Sequence, residues 1–369
     1  MIRGPIAEIS LAAIAHNLES VQKIVKNRSI IAVVKADAYG HGAAAVSKKL
    51  LEKGVSCLAV AFTGEARELR QSGITSPILV LFDHDNMSDY FDLDLLPVIS
   101  SVGTASRLSE EARRRERVIK IHVKIDTGMG RLGLYGIDVM QHILRIADMP
   151  GIEITGLMSH FSEADLADGS YAETQLERFN VIRWELAKRV GRPVTAHLAN
   201  SAAVMTFEKA YFDAVRPGLM LYGYSPFFND SPADLIPAMT VKARILDIRN
   251  VPTGTPISYG RTFVTQRESR IGVMAMGYAD GFNRLFSNNG YVLVRGQRAT
   301  VAGRVCMDLT MVDLTDVRGA EKNDEAVIIG KQGDQAITAD DLARRAGTIS
   351  YEILISLGSR SRKVYVEDH

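Results

Sequence analysis

Short apolar runs alternate with longer amphipathic stretches through the first two thirds of the chain. The runs are Ile30–Lys35, Cys57–Ala61, Ile78–Phe82, Leu95–Ser100, Ile119–Ile125, Ile152–His160, Thr195–Asn200 and Ala214–Tyr222. They are brief and rich in Val and Ile, as strands buried on both faces are. Helical candidates lie between them, among them Gly42–Lys53, Thr63–Ser72, Gly103–Arg115 and Ser170–Val190. Eight strands with helical crossovers predict an α/β fold, a closed (β/α)8 barrel of the TIM type. The competing doubly wound open sheet advertises a glycine-rich dinucleotide turn after its first strand. KADAYGHG is not such a turn.

The texture changes near Ser225. SPFFNDSPADLIP holds three prolines and reads as a linker. Strand-like runs follow: MTVKARILDI, RIGVMAMGY, YVLVRGQRATVAGRVCMDLTMVDLT, EAVIIG, YEILISL and KVYV. One helix, over Ala339–Ala346, interrupts them, with Thr338 as its N-cap. The expected division is a barrel over residues 1–228 and a mostly-β domain over 229–369. The ISL pattern before His16 is expected to pair with that second domain.

Composition narrows the function. Apolar residues make up 46 % and charged residues 24 % of 369, an ordinary globular balance. Lys and Arg total 44 against 43 Asp and Glu, which argues against a nucleic-acid or polybasic membrane binder. Cys57 and Cys306 cannot form a disulfide framework, so a reducing, cytoplasmic setting is expected. The N-terminus MIRGPIAEIS has no apolar signal core, and no run is long enough to span a bilayer. His41, His122 and Asp126 lack zinc-type spacing, so no metal is expected.

In an α/β barrel the reactive side chains sit at the C-terminal ends of the strands. Lys35 ends the first run. His122, Lys124 and Asp126 alternate on the fifth, and the turn GMGR after it delivers Arg131. His160 ends the sixth run, Asn200 and Ser201 the seventh, and the eighth contains Arg216, Pro217 and Gly218. Most lysines are solvated. Lys35 instead closes an apolar run at a barrel mouth, where desolvation frees the amine lone pair for a Schiff base with an aldehyde cofactor. Ser201 opens a helix, whose free N–H groups attract phosphate, and Gly218 lets backbone approach closely. Tyr39 can supply a hydroxyl. The pattern suits pyridoxal 5′-phosphate.

AVVKADAYGHG resembles the cofactor-attachment signature of alanine racemases. The resemblance continues in VKIDTGMGRLG, LMSHFSEAD, HLANSAA, VRPGLMLYG, ISYGRTF, MGYADGFNR, GRVCMDLTMVDLT and SYEIL, spread over nearly the whole chain in family order. It implies a barrel followed by a β-domain, a homodimer with shared active sites, and interconversion of L- and D-alanine, the D-isomer serving peptidoglycan. It implies that Lys35 carries the cofactor and is one of two acid/base groups. Tyr259, reaching in from the partner subunit, would be the other. Two bases suit racemisation, because a proton leaves one face of Cα and returns on the other. Arg216 resembles the arginine facing the pyridine nitrogen. It is a donor with no acceptor, so it leaves that nitrogen unprotonated. His160 would pack beside the ring, and Tyr39, Asn200, Ser201, Gly218, Leu219 and Tyr351 would hold the cofactor and its phosphate. Arg131 and the partner's Met307 would bind the substrate carboxylate. Lys124 matches a lysine that is often carbamylated. Tyr278, Asp165, Arg284 and Arg304 would line the entrance. A racemase of another small amino acid such as serine, a barrel decarboxylase and a non-catalytic cofactor carrier are the rivals. Arg216 argues against the decarboxylase, the domain carrying Tyr259 against the carrier, and Tyr351 against a serine preference.

Overall fold

The computed structural model describes residues 4–83, 85–191, 193–227 and 232–367, and the chain divides into two compact units. One consists of Ala15–Ala36 and Val46–Leu235. Its eight parallel strands are Ser29–Val33, Cys57–Val60, Ile78–Val80, Leu96–Ile99, Ile119–Lys124, Ile152–Met158, Thr195–His197 and Ala214–Val215. Each pairs with the next, and the last pairs with the first through Ser29 with Ala214 and Ile30 with Val215, which closes the barrel. Seven of the eight strands fall within an expected apolar run, and the first begins one residue before its run, at Ser29. Those runs are continuous because both faces are covered: Leu58, Ala59 and Val60 are all fully buried, as are Ile78, Leu79 and Val80. Each buried Val, Leu or Ile stabilises the fold by roughly 1.5–3 kcal/mol. The four expected helices are observed at Ala43–Glu52, Thr63–Gln71, Val102–Arg114 and Ser170–Val190.

One irregularity bears on chemistry. The fifth and sixth strands slip register between Ile121 and His122, so that His122 lies opposite Gly156. A Cβ at Gly156 would come within 2.4 Å of the His122 ring. The bulge and the missing side chain together make room for an imidazole inside the barrel.

The other unit consists of Met1–Ile14, Asp37–Ala45 and Ile236–His369. A nine-stranded sheet runs through it, with the long strand Met239–Val251 alternating buried and half-buried positions over its first half. The N-terminal strand Ile6–Ser10 joins this sheet, antiparallel to Met239–Val251 and parallel to Arg362–Val366. Residues 37–45, directly after the first barrel strand in sequence, also cluster here. The expected boundary between residues 228 and 229 lies outside the described residues.

The structure corrects one element. YEILISL is not a strand but part of the helix Ser350–Arg360. Its buried positions are Ser350, Ile353, Leu354, Leu357 and Gly358, a helical spacing that the density of Ile and Leu conceals. Gly358 lets this helix touch the 37–45 segment, since a Cβ there would lie 2.2 Å from the Gly40 carbonyl oxygen. The helix Ala339–Ala346 is as expected, with Thr338 accepting from the Asp341 N–H at 3.0 Å.

Candidate active site

Lys35 follows the first barrel strand and begins a five-residue turn, Lys35–Tyr39. Ala36, Asp37, Ala38 and Tyr39 all have φ between 52° and 54°, so the turn is left-handed without a glycine. Such residues cost roughly 1–2 kcal/mol each, and the chain braces them. The Asp37 carboxylate accepts the Ala43 N–H at 2.7 Å and pairs with Lys363 at 2.9 Å. His41 is fully buried, and its Nδ1–H donates to the carbonyls of Ala38 and Tyr39, both at 3.0 Å. Burial pushes His41 down to about 4 and keeps it neutral. Tyr39 packs against Tyr351 with ring centroids 5.7 Å apart, and burial raises its hydroxyl pKa.

Cations crowd the barrel rim. Lys35, Lys124 and Arg131 each lie 5.4–5.5 Å from the centroid of the Phe82 ring, whose π-face attracts positive charge. Burial and then Arg131 lower the pKa of Lys35, against an opposing pull from Glu65. Burial, Arg131 and Arg216 lower Lys124 to about 8. Asp126 forms no ion pair with these cations among the described residues, although its charge opposes the lowering of Lys124. Its carboxylate accepts from the N–H groups of Gly128 and Gly130 at 2.9 and 3.2 Å, which shapes the loop carrying Arg131. Arg131 itself lines a cleft of about 630 Å³ with Ser101, Tyr135 and Arg178.

Arg216 is buried without a carboxylate. Its Nη1 donates to the His197 carbonyl at 2.7 Å and to His197 Nδ1 at 2.8 Å. Its Nη2 donates to the carbonyls of Ser159 and Leu198 at 2.6 and 3.1 Å and approaches His160 Nδ1 at 3.4 Å. Burial lowers it to about 9. Because guanidinium only donates, His197 Nδ1 must accept, which leaves the His197 proton on Nε2. That proton is directed at His122 Nδ1, 2.8 Å away. Burial, followed by Arg216, holds His122, His197 and His160 below the usual histidine range.

Asn200 caps the short helix Ser201–Thr206 by accepting from the Ala203 N–H at 3.0 Å. Ser201 Oγ accepts from the N–H groups of Gly218 and Met220 at 2.9 and 3.4 Å, which leaves the hydroxyl proton for an acceptor. Gly218 and Leu219 are buried beside it.

In the β-rich unit, Tyr259 and Met307 line one cleft of about 390 Å³ with Ser258, Cys306 and Leu309. Ser258 has φ 63° and donates from Oγ to the Arg304 carbonyl at 2.6 Å, which turns Tyr259 outward. Tyr278 stands beside this cleft, because its N–H donates to the Cys306 carbonyl at 2.9 Å. A Cβ at Gly277 would meet the Met307 carbonyl oxygen at 2.2 Å, so glycine is required there. Arg304 packs by Gly260, whereas the side chains of Asp165 and Arg284 are exposed and make no ion pair among the described residues. Phe82, Glu65 and the braces on the left-handed turn escaped the sequence reading, since each acts through contacts distant in sequence.

None of Lys35, Lys124, Arg131 and Arg216 forms an ion pair with a described carboxylate. This rim belongs to a closed parallel barrel, in a chain that also carries a mostly antiparallel nine-stranded sheet. The comparisons identify the class. Residues 9–226 match the alanine racemase N-terminal domain, and residues 238–365 match the alanine racemase C-terminal domain. Alanine racemase from Thermodesulfovibrio yellowstonii is 47 % identical over 98 % of this chain and 97 % of its own. Alanine racemase 2 from Caldanaerobacter subterraneus is 44 % identical over 99 % and 95 %. Among solved structures, alanine racemase from D-cycloserine-producing Streptomyces lavendulae superposes with a TM-score of 0.93 at 34 % identity, covering 99 % and 98 % of the two chains. Alanine racemase from Bartonella henselae, with covalently bound pyridoxal phosphate, gives 0.89 at 29 % identity over 99 % and 100 %. The chain belongs to the alanine racemase family, and its reaction is the racemisation of alanine.

Proposed function

We propose that this chain holds pyridoxal 5′-phosphate on Lys35 and moves the α-proton of alanine between two bases, Lys35 and Tyr259 of the partner subunit. The observation that carries the reading is the unpaired positive charge of the rim, which fits an anionic cofactor and a substrate carboxylate. When bound, pyridoxal phosphate draws electrons from Cα of the attached amino acid and acidifies its α-proton. Tyr39, Asn200, Ser201, Gly218, Leu219 and Tyr351 hold the cofactor and its phosphate. His160 flanks the ring. The spare proton on Ser201 Oγ suits a phosphate oxygen.

Burial and Arg131 lower the pKa of Lys35, which favours the neutral amine that a base requires. Arg216 would face the ring nitrogen as a group that keeps its own proton and so would leave that nitrogen unprotonated, which would limit electron withdrawal and the side reactions that follow from it. Arg131 binds the substrate carboxylate. Met307 does so through a backbone N–H, which makes no hydrogen bond to another described residue. Tyr278, Asp165, Arg284 and Arg304 line the approach. Lys124, lowered to about 8, keeps a fraction of neutral amine that can add to carbon dioxide and release a proton. The resulting carbamate orients Arg131. The enzyme works as a cytoplasmic homodimer that supplies D-alanine for peptidoglycan. Exposure of Tyr259, Met307 and Tyr278 supports a shared site, and no helix among the described residues is long and apolar enough to cross a membrane.

Borohydride reduction of cofactor-loaded protein, followed by peptide mapping, tests the reading. The pyridoxyl group is expected on Lys35; a label elsewhere, or none, overturns it.

A further inference from the structure

Glu65 occupies the third position of the helix Thr63–Gln71. One carboxylate oxygen, Oε2, accepts the N–H groups of Ala61 and Phe62 at 2.7 and 3.2 Å, as an acid at that position ordinarily does. The other oxygen does something a cap does not require. Oε1 accepts the N–H of Ala36 at 2.5 Å, across 29 positions of sequence. That N–H belongs to the peptide joining Lys35 to Ala36, and Ala36, with φ 53°, is the first left-handed residue of the turn. Fixing this peptide plane fixes the backbone on the C-terminal side of Lys35, and with it the direction in which the lysine leaves the barrel mouth.

We propose that Glu65 is a positioning residue for Lys35, clamping the Lys35–Ala36 peptide to the end of the second barrel strand and setting its carboxylate charge against the cations around the amine. The inference rests on Lys35 being the cofactor lysine. The groups around that amine are Arg131, Lys124 and His160, with the Phe82 ring; Glu65 is the carboxylate that opposes them at Lys35, and Asp126 opposes them at Lys124. Glutamine at position 65 would remove the charge and turn one end of the bridge into a donor facing backbone N–H groups. Aspartate would keep the charge on a shorter arm.

The test uses full-length apoprotein and added pyridoxal 5′-phosphate, with covalent capture followed by absorbance against pH. Capture needs the neutral amine, so its rate inflects at the Lys35 pKa. In Glu65→Gln the inflection is expected to move down by about half a pH unit or more, because a nearby negative charge that favours the ammonium is gone. In Glu65→Asp it stays near the wild-type position. Both variants lose part of the cap, so a lower melting temperature in both with an unmoved inflection in Glu65→Gln reduces Glu65 to a cap and overturns the proposal. Amide hydrogen exchange of the wild-type protein gives a readout that does not depend on the variants folding. Ala36 is expected to be protected, and exchange as fast as an open turn refutes the clamp. A wild-type label mapped away from Lys35 would instead refute the cofactor assignment.

Discussion

At the barrel rim, Arg216 is 4 % exposed and its donors end on carbonyls and imidazoles of the same chain. In the β-rich unit, Tyr259 is 70 % exposed and Met307 55 %, and the Tyr259 hydroxyl makes no hydrogen bond to a described residue. The first group is tuned by its own chain: burial and neighbouring cations alter Lys35, Lys124 and Arg216 before anything binds. The second is shaped through its backbone, by the Ser258 turn and the Gly277 contact, and its side chains face outward. Substitution of the buried rim arginine should therefore disturb folding and activity together, and substitution of half-buried Lys35 or of the cleft residues mainly activity.

The largest effect is expected at Lys35, the half-buried member of the rim group. Lys35→Ala removes the proposed cofactor attachment and one of the two proposed bases, so racemisation in both directions should fall by about 10⁴-fold or more. Cofactor absorbance should be lost while circular dichroism is retained. Residual racemisation near wild type would break the assignment. Tyr259→Phe comes next, with about 10²- to 10⁴-fold loss expected for one acid/base group. Cofactor absorbance should persist, and an exposed position predicts a stability change within about 0.5 kcal/mol. If Tyr259→Phe unfolds the protein as readily as a rim variant does, the contrast between the regions fails.

Arg216→Lys sharpens the same contrast from the other side. One ammonium cannot reproduce the guanidinium bonds to Ser159, His197 and Leu198, so buried acceptors lose donors. Destabilisation of roughly 2–3 kcal/mol is expected, together with a changed cofactor spectrum, read by urea titration and absorbance.

How much of this was legible in the sequence differs between the regions for the same physical reason. The barrel announced itself because strands covered on both faces leave unbroken apolar runs, and all eight runs contain a strand. The helix Ser350–Arg360 stayed hidden because Ile353, Leu354, Ile355 and Leu357 crowd together and blur the helical period. The left-handed turn was invisible for a different reason. Ala, Asp, Ala and Tyr carry no positive-φ signal, and their support comes from His41, Lys363 and the glycines beyond them. Alternation showed that His122 and Lys124 share a face, but it could not show that His122 meets His197 across the barrel or that Lys124 meets Phe82. Of the positions named by resemblance, Lys35, His160 and Asn200 stand just beyond strand ends and Tyr259 and Met307 line one cleft of the β-rich unit, yet the partners of the rim positions come from remote segments that no local pattern encodes.

The smallest expected effect isolates one amine of the rim. Lys124 titrates at about 8 in the folded chain, against an ordinary lysine value of 10.5 in the unfolded one. Between these values the unfolded chain holds a proton that the folded chain has released. Stability therefore rises with pH across this window, by at most about 1.4 kcal/mol per unit from this group. Lys124→Met should flatten the rise by up to one proton, measured as urea midpoints at several pH values in carbon dioxide-free buffer. Forming the carbamate proposed at Lys124 releases a proton that the unfolded ammonium takes back, so bicarbonate should extend the wild-type rise to pH values below 8 and add the mass of one carbon dioxide to the intact protein. A slope unchanged by Lys124→Met would mean that burial does not hold this amine down, and the rim would lose one of the tuned groups that set it apart from the cleft.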